Sequence, residues 1–404
     1  MNVLRKFTSK RNEVFLAEDE NGRFVIKQYA SAEDAAAEKA VYDLLSGSKL
    51  RIPKLLSFGE NELELEYIDG ITFTELLERQ ERAGSVDFAP WEELVKWLCL
   101  FNKETGLAPG DSNLRNFILD AQGQVCGIDF EQCGESGILE AASAVCAFVE
   151  LYDPQETPIK MSVSHFLQEK FSEIAGISVY ELAKQTACQK AAIISRRERK
   201  KYDATFSAVI LAGGKSSRMG SCKAELPWGE KTLAEHQVNK ISALGISDIM
   251  VSGYSRPITG TRFVPDIYPE KGPLSGIHAC LCAAMRPLCF VISVDAPLFS
   301  QDEMKMLTEA HLARGEPITV AGHCGTLEPL IGVYDRSLSD AAESILQGAN
   351  TSVKRLLDQV GFAICEFPDE NSVRNCNTPD EYDELCSNTI DGTRAKQISM
   401  KSTR

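Results

Sequence analysis

The run Val209-Ile210-Leu211-Ala212-Gly213-Gly214-Lys215-Ser216-Ser217-Arg218-Met219-Gly220-Ser221-Cys222-Lys223 constrains this chain more than any other stretch. A short apolar segment ends in glycines, and cations follow them. Glycine lets the backbone approach a ligand closely and turn successive N–H groups toward it. Arg218 and Lys223 place positive charge on the same loop, Arg as a fork for phosphate oxygens and Lys as a point charge. An ordinary strand-to-helix turn needs neither. The run predicts a buried strand whose carboxyl end opens into a polyphosphate site. Such a loop also lowers the pKa of a neighbouring thiol, which marks Cys222 as reactive when the site is empty.

The sequence around this run alternates between two periods. Val209–Leu211, Ile249–Val251 and Phe290–Val294 are short continuous apolar runs, as buried parallel strands are. Between the first two, Leu233, Gln237/Val238, Ile241 and Leu244 recur at helical spacing, and Gly245 ends that helix. A β-α-β alternation predicts a doubly wound α/β layer, whose ligands sit at the carboxyl ends of the strands. The first half reads differently. Phe24–Tyr29 is a strand, Ser31 opens a helix whose apolar face is Ala37, Val41, Leu44 and Leu45, and later segments such as Trp91–Asn102 and Ser164–Ile174 are helical. The layout is a small strand-rich lobe followed by a helical one.

Length sets the domain count. A chain of 404 residues exceeds one typical domain, so two or three are expected. The boundary is placed near residue 202, after the basic run Arg196–Lys201, a solvated helix end. This gives 1–201, 202–388 and a polar tail at 389–404 expected to be disordered. The formal net charge of -15 argues against a nucleic-acid face and against attraction to anionic lipid. Met1–Phe15 lacks the apolar core of a secretory signal, and no window of about 18 apolar residues suits a membrane span. Thirteen cysteines without paired spacing read as buried, reduced thiols in the cytoplasm, with Cys222 the exception. The five histidines form no metal-ligand pattern.

Two further segments carry chemistry in the second half. Val291-Ile292-Ser293-Val294-Asp295-Ala296-Pro297 puts an acid at the end of a buried strand, which is costly unless the acid is paired or holds a metal. Asp295 is therefore a candidate for Mg²⁺, which takes one or two carboxylates plus substrate phosphates; a helix N-cap before Pro297 is the plainer alternative. Phe263-Val264-Pro265-Asp266 with Lys271-Gly272-Pro273-Leu274-Ser275-Gly276 again allows close backbone approach, and Asp266 could accept from a base or a ribose.

Taken together, Leu211-Ala-Gly-Gly, Arg218-Met-Gly, Lys223, Gly272-Pro-Leu-Ser-Gly276, Asp295-Ala-Pro and Asn377-Thr-Pro-Asp380 resemble the molybdenum cofactor guanylyltransferase family over about residues 205–388. The resemblance implies a Rossmann-like nucleotidyltransferase sheet that transfers GMP from GTP to molybdopterin with Mg²⁺. It implies nucleotide contacts from Leu211, Ala212, Gly213, Gly214, Lys223, Ser252 and Asp266, catalytic roles for Arg218, Lys223 and Asp295, and Mg²⁺ on Asp295. Ser252 stands where the family pattern has asparagine. Glu328 and Asn377 fall toward the pterin. A related cytidylyltransferase or sugar-phosphate nucleotidyltransferase shares the glycine loop.

In the first half, Asp111 and Asn116 stand five residues apart, and Asp129-Phe130 follows. A catalytic Asp, a metal-binding Asn and a metal-binding Asp occur in kinases at this spacing. Lys27 on a Val-Ile-Lys strand and Glu38 on the next helix would form the phosphate-anchoring pair. The alternatives are turn formers at Asp111 and Asn116 and a surface pair at Lys27 and Glu38. The set resembles the aminoglycoside and choline phosphotransferase family over about residues 1–195, which implies a bilobal protein-kinase-like fold, ATP, a base at Asp111, nucleotide contacts at Lys27 and Glu38, and metal at Asn116 and Asp129. Pro109 and Glu131 depart from that pattern, and the Ser9–Asn12 loop is not glycine-rich. The half therefore reads as an active small-molecule kinase or as an inactive nucleotide-binding module.

Overall fold

The computed structural model describes residues 2–7, 9, 11–110, 113–213 and 222–386. The chain divides into two units, Met1–Ile194 and Ser195–Arg404.

The first unit opens with three antiparallel strands, β1 (Asn2–Phe7), β2 (Glu13–Asp19) and β3 (Gly22–Gln28), followed by helix α1 (Ala32–Leu44) and strands β4 (Leu55–Phe58) and β5 (Glu62–Glu66). They form one antiparallel sheet in the order β1-β2-β3-β5-β4. Ser31 caps α1 by accepting from Asp34 N. The buried face of α1 is Ala35, Glu38, Val41, Tyr42 and Leu45, which corrects the expected one: Ala37 is exposed and Leu44 is 61% exposed. The helix is rotated to bring the Glu38 carboxylate inward, where an ion pair holds it.

The rest of the unit is mainly helical: β6 (Gly70–Thr72), α2 (Phe73–Ala83), α3 (Ala89–Thr105), β7 (Leu107–Ala108), β8 (Phe117–Asp120), β9 (Val125–Gly127), β10 (Gly134–Glu135), α4 (Ile138–Leu151), α5 (Pro158–Ala175) and the first part of α6 (Val179–Thr205), whose residues from Ser195 on belong to the second unit. Strands β6, β8 and β9 form a small sheet, and β7 pairs with β10. The expected helices at Trp91–Asn102 and Ser164–Ile174 lie within α3 and α5. The basic run Arg196–Lys201 lies within α6.

The second unit is built on β11 (Phe206–Leu211), which leads through the short pair β12 (Pro227–Trp228) and β13 (Lys231–Thr232) to α7 (Leu233–Leu244), β14 (Ile249–Ser252), β15 (Arg262–Phe263), α8 (Pro273–Ala283) and β16 (Leu288–Ser293). Then come α9 (Gln301–Arg314), β17 (Ile318–His323), β18 (Thr326–Asp335), α10 (Ser339–Leu346), α11 (Val353–Val360) and β19 (Ala363–Glu366). The sheet order is β15-β14-β11-β16-β18-β17-β19. All six residues of β11 are buried and sort by parity: Phe206, Ala208 and Ile210 face a core shared with α7 and α9, while Val209 and Leu211 face one shared with α8, α10 and α11. Both faces are covered by helices, as a doubly wound layer requires. Strand β18 departs from the parallel pattern and runs antiparallel to β16 and β17. Its cause is local. Cys324 and Gly325, both at positive φ, form a two-residue hairpin turn that sends the chain straight back.

All thirteen cysteines are free. The expectation that they are buried is corrected at Cys188, Cys282 and Cys324, which are exposed along with Cys222. Among the described residues no helix is long and apolar enough to cross a membrane.

Candidate functional site

In the second unit the chemically loaded residues meet at the carboxyl ends of β11, β14 and β16. Backbone bonds splice the three exits together: Ala212 N donates to Ser252 O at 2.9 Å and Val294 N to Leu211 O at 3.0 Å. Gly213 emerges here beside Gly253. Gly253 sits at φ +80, and a Cβ on it would lie 2.2 Å from the Gly213 Cα, so Gly253 must lack a side chain for the two exits to approach, while a Cβ on Gly213 would stand a tight 3.0 Å from the Gly253 Cα. Gly276 does the same for α8, since its Cβ would fall 2.6 Å from the Ser252 hydroxyl and 3.1 Å from Leu211 Cδ2. Ser252 Oγ donates to Asp266 Oδ1 at 2.8 Å. Leu211, Ala212, Gly213, Ser252 and Asp266 thus form one connected rim.

Lys223 stands at the start of a short 3₁₀ turn. Its Nζ donates to Asp295 Oδ2 at 2.6 Å and to Asn377 Oδ1 at 2.8 Å. Both the Lys223 and Asp295 side chains are 15% exposed, so this pair is shielded yet open on one side. The other Asp295 oxygen accepts from Ser293 Oγ, and Cys376 N bonds the Asp295 carbonyl at 2.8 Å. The carboxylate therefore caps no helix. Asn375, one residue before Cys376, donates to Glu328 Oε2 at 2.9 Å. Burial pushes the Glu328 carboxyl above its ordinary range; the Asn375 bond works against this and the Asp295 charge adds to it. The donor set around Asp295 consists of hard oxygens, and a positive charge, the Lys223 ammonium, already stands on it. That is the environment a magnesium ion with phosphate ligands would use, so the residues fit the ion.

The first unit gathers its own charged cluster. Lys27 Nζ lies 2.6 Å from Glu38 Oε2, 2.6 Å from Asp129 Oδ1 and 3.5 Å from Glu131 Oε2. Burial pulls the Lys27 ammonium down, and the charges of Glu38 and Asp129 outweigh it, leaving its pKa above the ordinary lysine value. Glu38 also accepts from Tyr29 OH at 2.6 Å and from Phe130 N at 3.1 Å. Phe130 is anchored by Tyr42, Trp97 and Phe101 with ring centroids 5.5, 6.4 and 5.7 Å away. Gly127 must be glycine because its Cβ would fall 2.3 Å from the Trp97 ring. With Phe130 fixed inward, Asp129 adopts φ 70 and turns to Lys27. Ile128 N donates to Asn116 O at 2.8 Å, which places Asn116 beside this segment. Asn12, between β1 and β2, donates to Glu131 Oε2. The carboxylates of Glu38, Asp129 and Glu131 lie within 4.8 Å of one another.

The structure thus unites Leu211, Ala212, Gly213, Ser252 and Asp266, pairs Lys223 with Asp295, and joins Lys27, Glu38 and Asp129. Gly214, Arg218 and Asp111 lie outside the described residues, as does the 389–404 tail. Sequence reasoning missed Gly253, Ser293 and Asn375, and it read Glu131 only as a departure. Gly253 had a findable signal, a glycine directly after an apolar strand. Asn375 had none, because its partner Glu328 is 47 residues away.

A MobA-like NTP transferase domain matches residues 208–362. The probable molybdenum cofactor guanylyltransferase of Carboxydothermus hydrogenoformans is 30% identical over 188 residues, covering 45% of this chain and 94% of that protein. This chain belongs to the molybdenum cofactor guanylyltransferase family. Further relatives carrying that name are those of Peptoclostridium acidaminophilum, 35% identical over 43% of this chain and 86% of theirs, and Clostridium perfringens strain 13, 31% identical over 44% and 95%. The matched family member lies in the second half of the chain, and that half is a nucleotidyltransferase.

Proposed function

We propose that the second unit transfers GMP from GTP to molybdopterin, using Mg²⁺. The observation that carries this reading is the shielded Lys223–Asp295 pair at the exits of β11 and β16, beside the Gly213–Gly253 contact. An acceptor phosphate oxygen attacks the α-phosphorus of GTP in line. The bond from that phosphorus to the bridging oxygen breaks, the electron pair stays on that oxygen, and pyrophosphate leaves. Such chemistry asks the protein for positioning and charge neutralisation rather than covalent help. The glycine backbone at Gly213, with Gly214 beyond it, admits the triphosphate. Leu211, Ala212, Ser252 and Asp266 hold the nucleoside. Lys223, with Arg218, offsets charge developing on the transferring and departing phosphates. Asp295 would hold Mg²⁺, which when bound neutralises triphosphate oxygens. Asn377 keeps the Lys223 ammonium aligned, and Glu328 with Asn375 faces the acceptor.

Two measurements test this. Pyrophosphate release should occur with Mg²⁺, molybdopterin and GTP, and not with CTP, ATP or UTP; release only with CTP would replace guanylyl by cytidylyl transfer. Lys223→Ala and Asp295→Ala should each lower turnover by about a hundredfold or more, as removing one transition-state donor does. Near-normal rates in both variants would sink the assignment.

For the first unit, the Lys27–Glu38–Asp129 triangle supports a protein-kinase-like reading in which Lys27 and Glu38 engage ATP phosphates, Asn116 and Asp129 hold metal, and Asp111 is the base. Lys27→Met should abolish ATP binding measured by calorimetry. Unchanged binding would return the triangle to a purely structural role. ATP binding without phosphoryl transfer to sugars, choline or aminoglycosides would favour the inactive-module reading.

A further inference from the structure

Asp295 follows the end of β16, on the stretch from Val294 to Phe299 that is neither helix nor strand. Three backbone bonds tie it down, Val294 N to Leu211 O, Ala296 N to Ser293 O and Cys376 N to Asp295 O, but no helix or strand ladder runs through it, and a small displacement of a phosphate-site carboxylate is expensive in rate. Helix α7 holds it. Gln237 Nε2 donates to Ser293 O at 3.2 Å and to Ala296 O at 2.9 Å. Lys240, on the same face, donates from Nζ to Pro297 O at 2.9 Å and Phe299 O at 2.8 Å. The His236 ring adds Nε2 to Pro297 O at 3.1 Å. Five hydrogen bonds from one helix turn therefore bracket Asp295 on both sides.

These side chains are ill suited to plain packing. Gln237 is fully buried, and its own Oε1 has no partner among the described residues, so the amide is kept for its two donors although its acceptor goes unpaired. Lys240 is 8% exposed and places its polar Nζ against backbone carbonyls. An apolar residue would bury at that place at lower free energy. Neither side chain is exposed enough to touch a bound nucleotide.

We propose that Gln237 and Lys240 are positioning residues for nucleotidyl transfer, which hold the backbone on both sides of Asp295 and so keep its carboxylate against Lys223. The proposal rests on the reading of Asp295 as a catalytic residue. It is tested in the full chain with Gln237→Leu and Lys240→Met, each made alone and in an Asp295→Asn background. Turnover is referred to the concentration of GTP-binding sites, so unfolded protein does not count as lost catalysis, and melting temperature is followed alongside. Each single substitution should lower kcat by about ten- to a hundredfold, in the range of an ångström-scale misplacement. It should also raise the Mg²⁺ concentration for half-maximal rate, with GTP affinity held within about threefold. In the Asp295→Asn background the same substitution should lower the residual rate by less than about twofold, because the group it positions is gone. Equal fold losses in both backgrounds, or single variants within about twofold of the wild type, overturn the proposal. An inactive Asp295→Asn with a fully active Gln237→Leu overturns it alone; a fully active Asp295→Asn overturns the underlying reading as well.

Discussion

Gly253 shows how tightly single residues define this site. Two strand exits can meet this closely only because Gly253 carries no Cβ, and Gly253 also sits in the left-handed region at φ +80. Gly253→Ala should therefore lower stability by at least about 1–2 kcal/mol from conformation alone, and should raise the KM for the nucleotide, as read from denaturant melts and steady-state kinetics. An unchanged KM would show that the contact does not shape the phosphate rim. Asp129 is the counterpart in the first unit. A non-glycine residue at φ 70 is held there by Phe130 in its aromatic nest and by Lys27. Asp129 and Lys27 were both readable from the chain as candidates, because a motif is a matter of residue types. Glu131 completing the cluster was not, because a third carboxylate near one lysine is decided by where the chain folds back.

Helix α7 is the element on which most of the second unit's precision depends. Its Thr232–Glu235 capping box and the Gly245 cap at φ 98 set its two ends. Gly245 is doubly constrained, since a Cβ there would fall 2.5 Å from Arg199 Cβ on α6. The helix was legible in outline from apolar spacing and its terminal glycine. Its polar buried side was only half legible: the helical spacing passes through Gln237, but nothing in the chain marks Lys240 as buried. His236 on this helix offers a pH test. Burial, reinforced by the nearby Lys240 charge, lowers its pKa from 6.5 to about 4. Between those values the unfolded chain binds the proton and the folded chain does not, so this residue's contribution to stability is present above pH 6.5 and lost as pH falls through about 4. His236→Asn should show a shallower fall in melting temperature over that interval than the wild type. Parallel curves would mean that the imidazole is not shielded as the structure has it.

At the scale of the whole molecule, the two units carry separate cores that share no residue, one centred on Trp91, Trp97 and Phe101, the others on the two faces of the β11 sheet. Phe290→Ala, at a fully buried position in β16, should cost about 3–5 kcal/mol, and calorimetry should place that loss in the transition of the second unit. A single two-state transition in which the calorimetric and van't Hoff enthalpies agree would contradict separate cores. The chain's local chemistry, by itself, determined the strand-then-glycine turn at Leu211–Gly213, the β-α-β alternation and the acid after β16, because backbone conformation, burial period and charge are written in adjacent residues. Tertiary structure alone decided that β18 pairs with β16, that Glu38 turns inward, that Asn375 reaches Glu328, and that α7 holds the Asp295 stretch. Each of those joins residues far apart in the chain, and the free energy that selects them comes from contacts that exist only once the layers have packed.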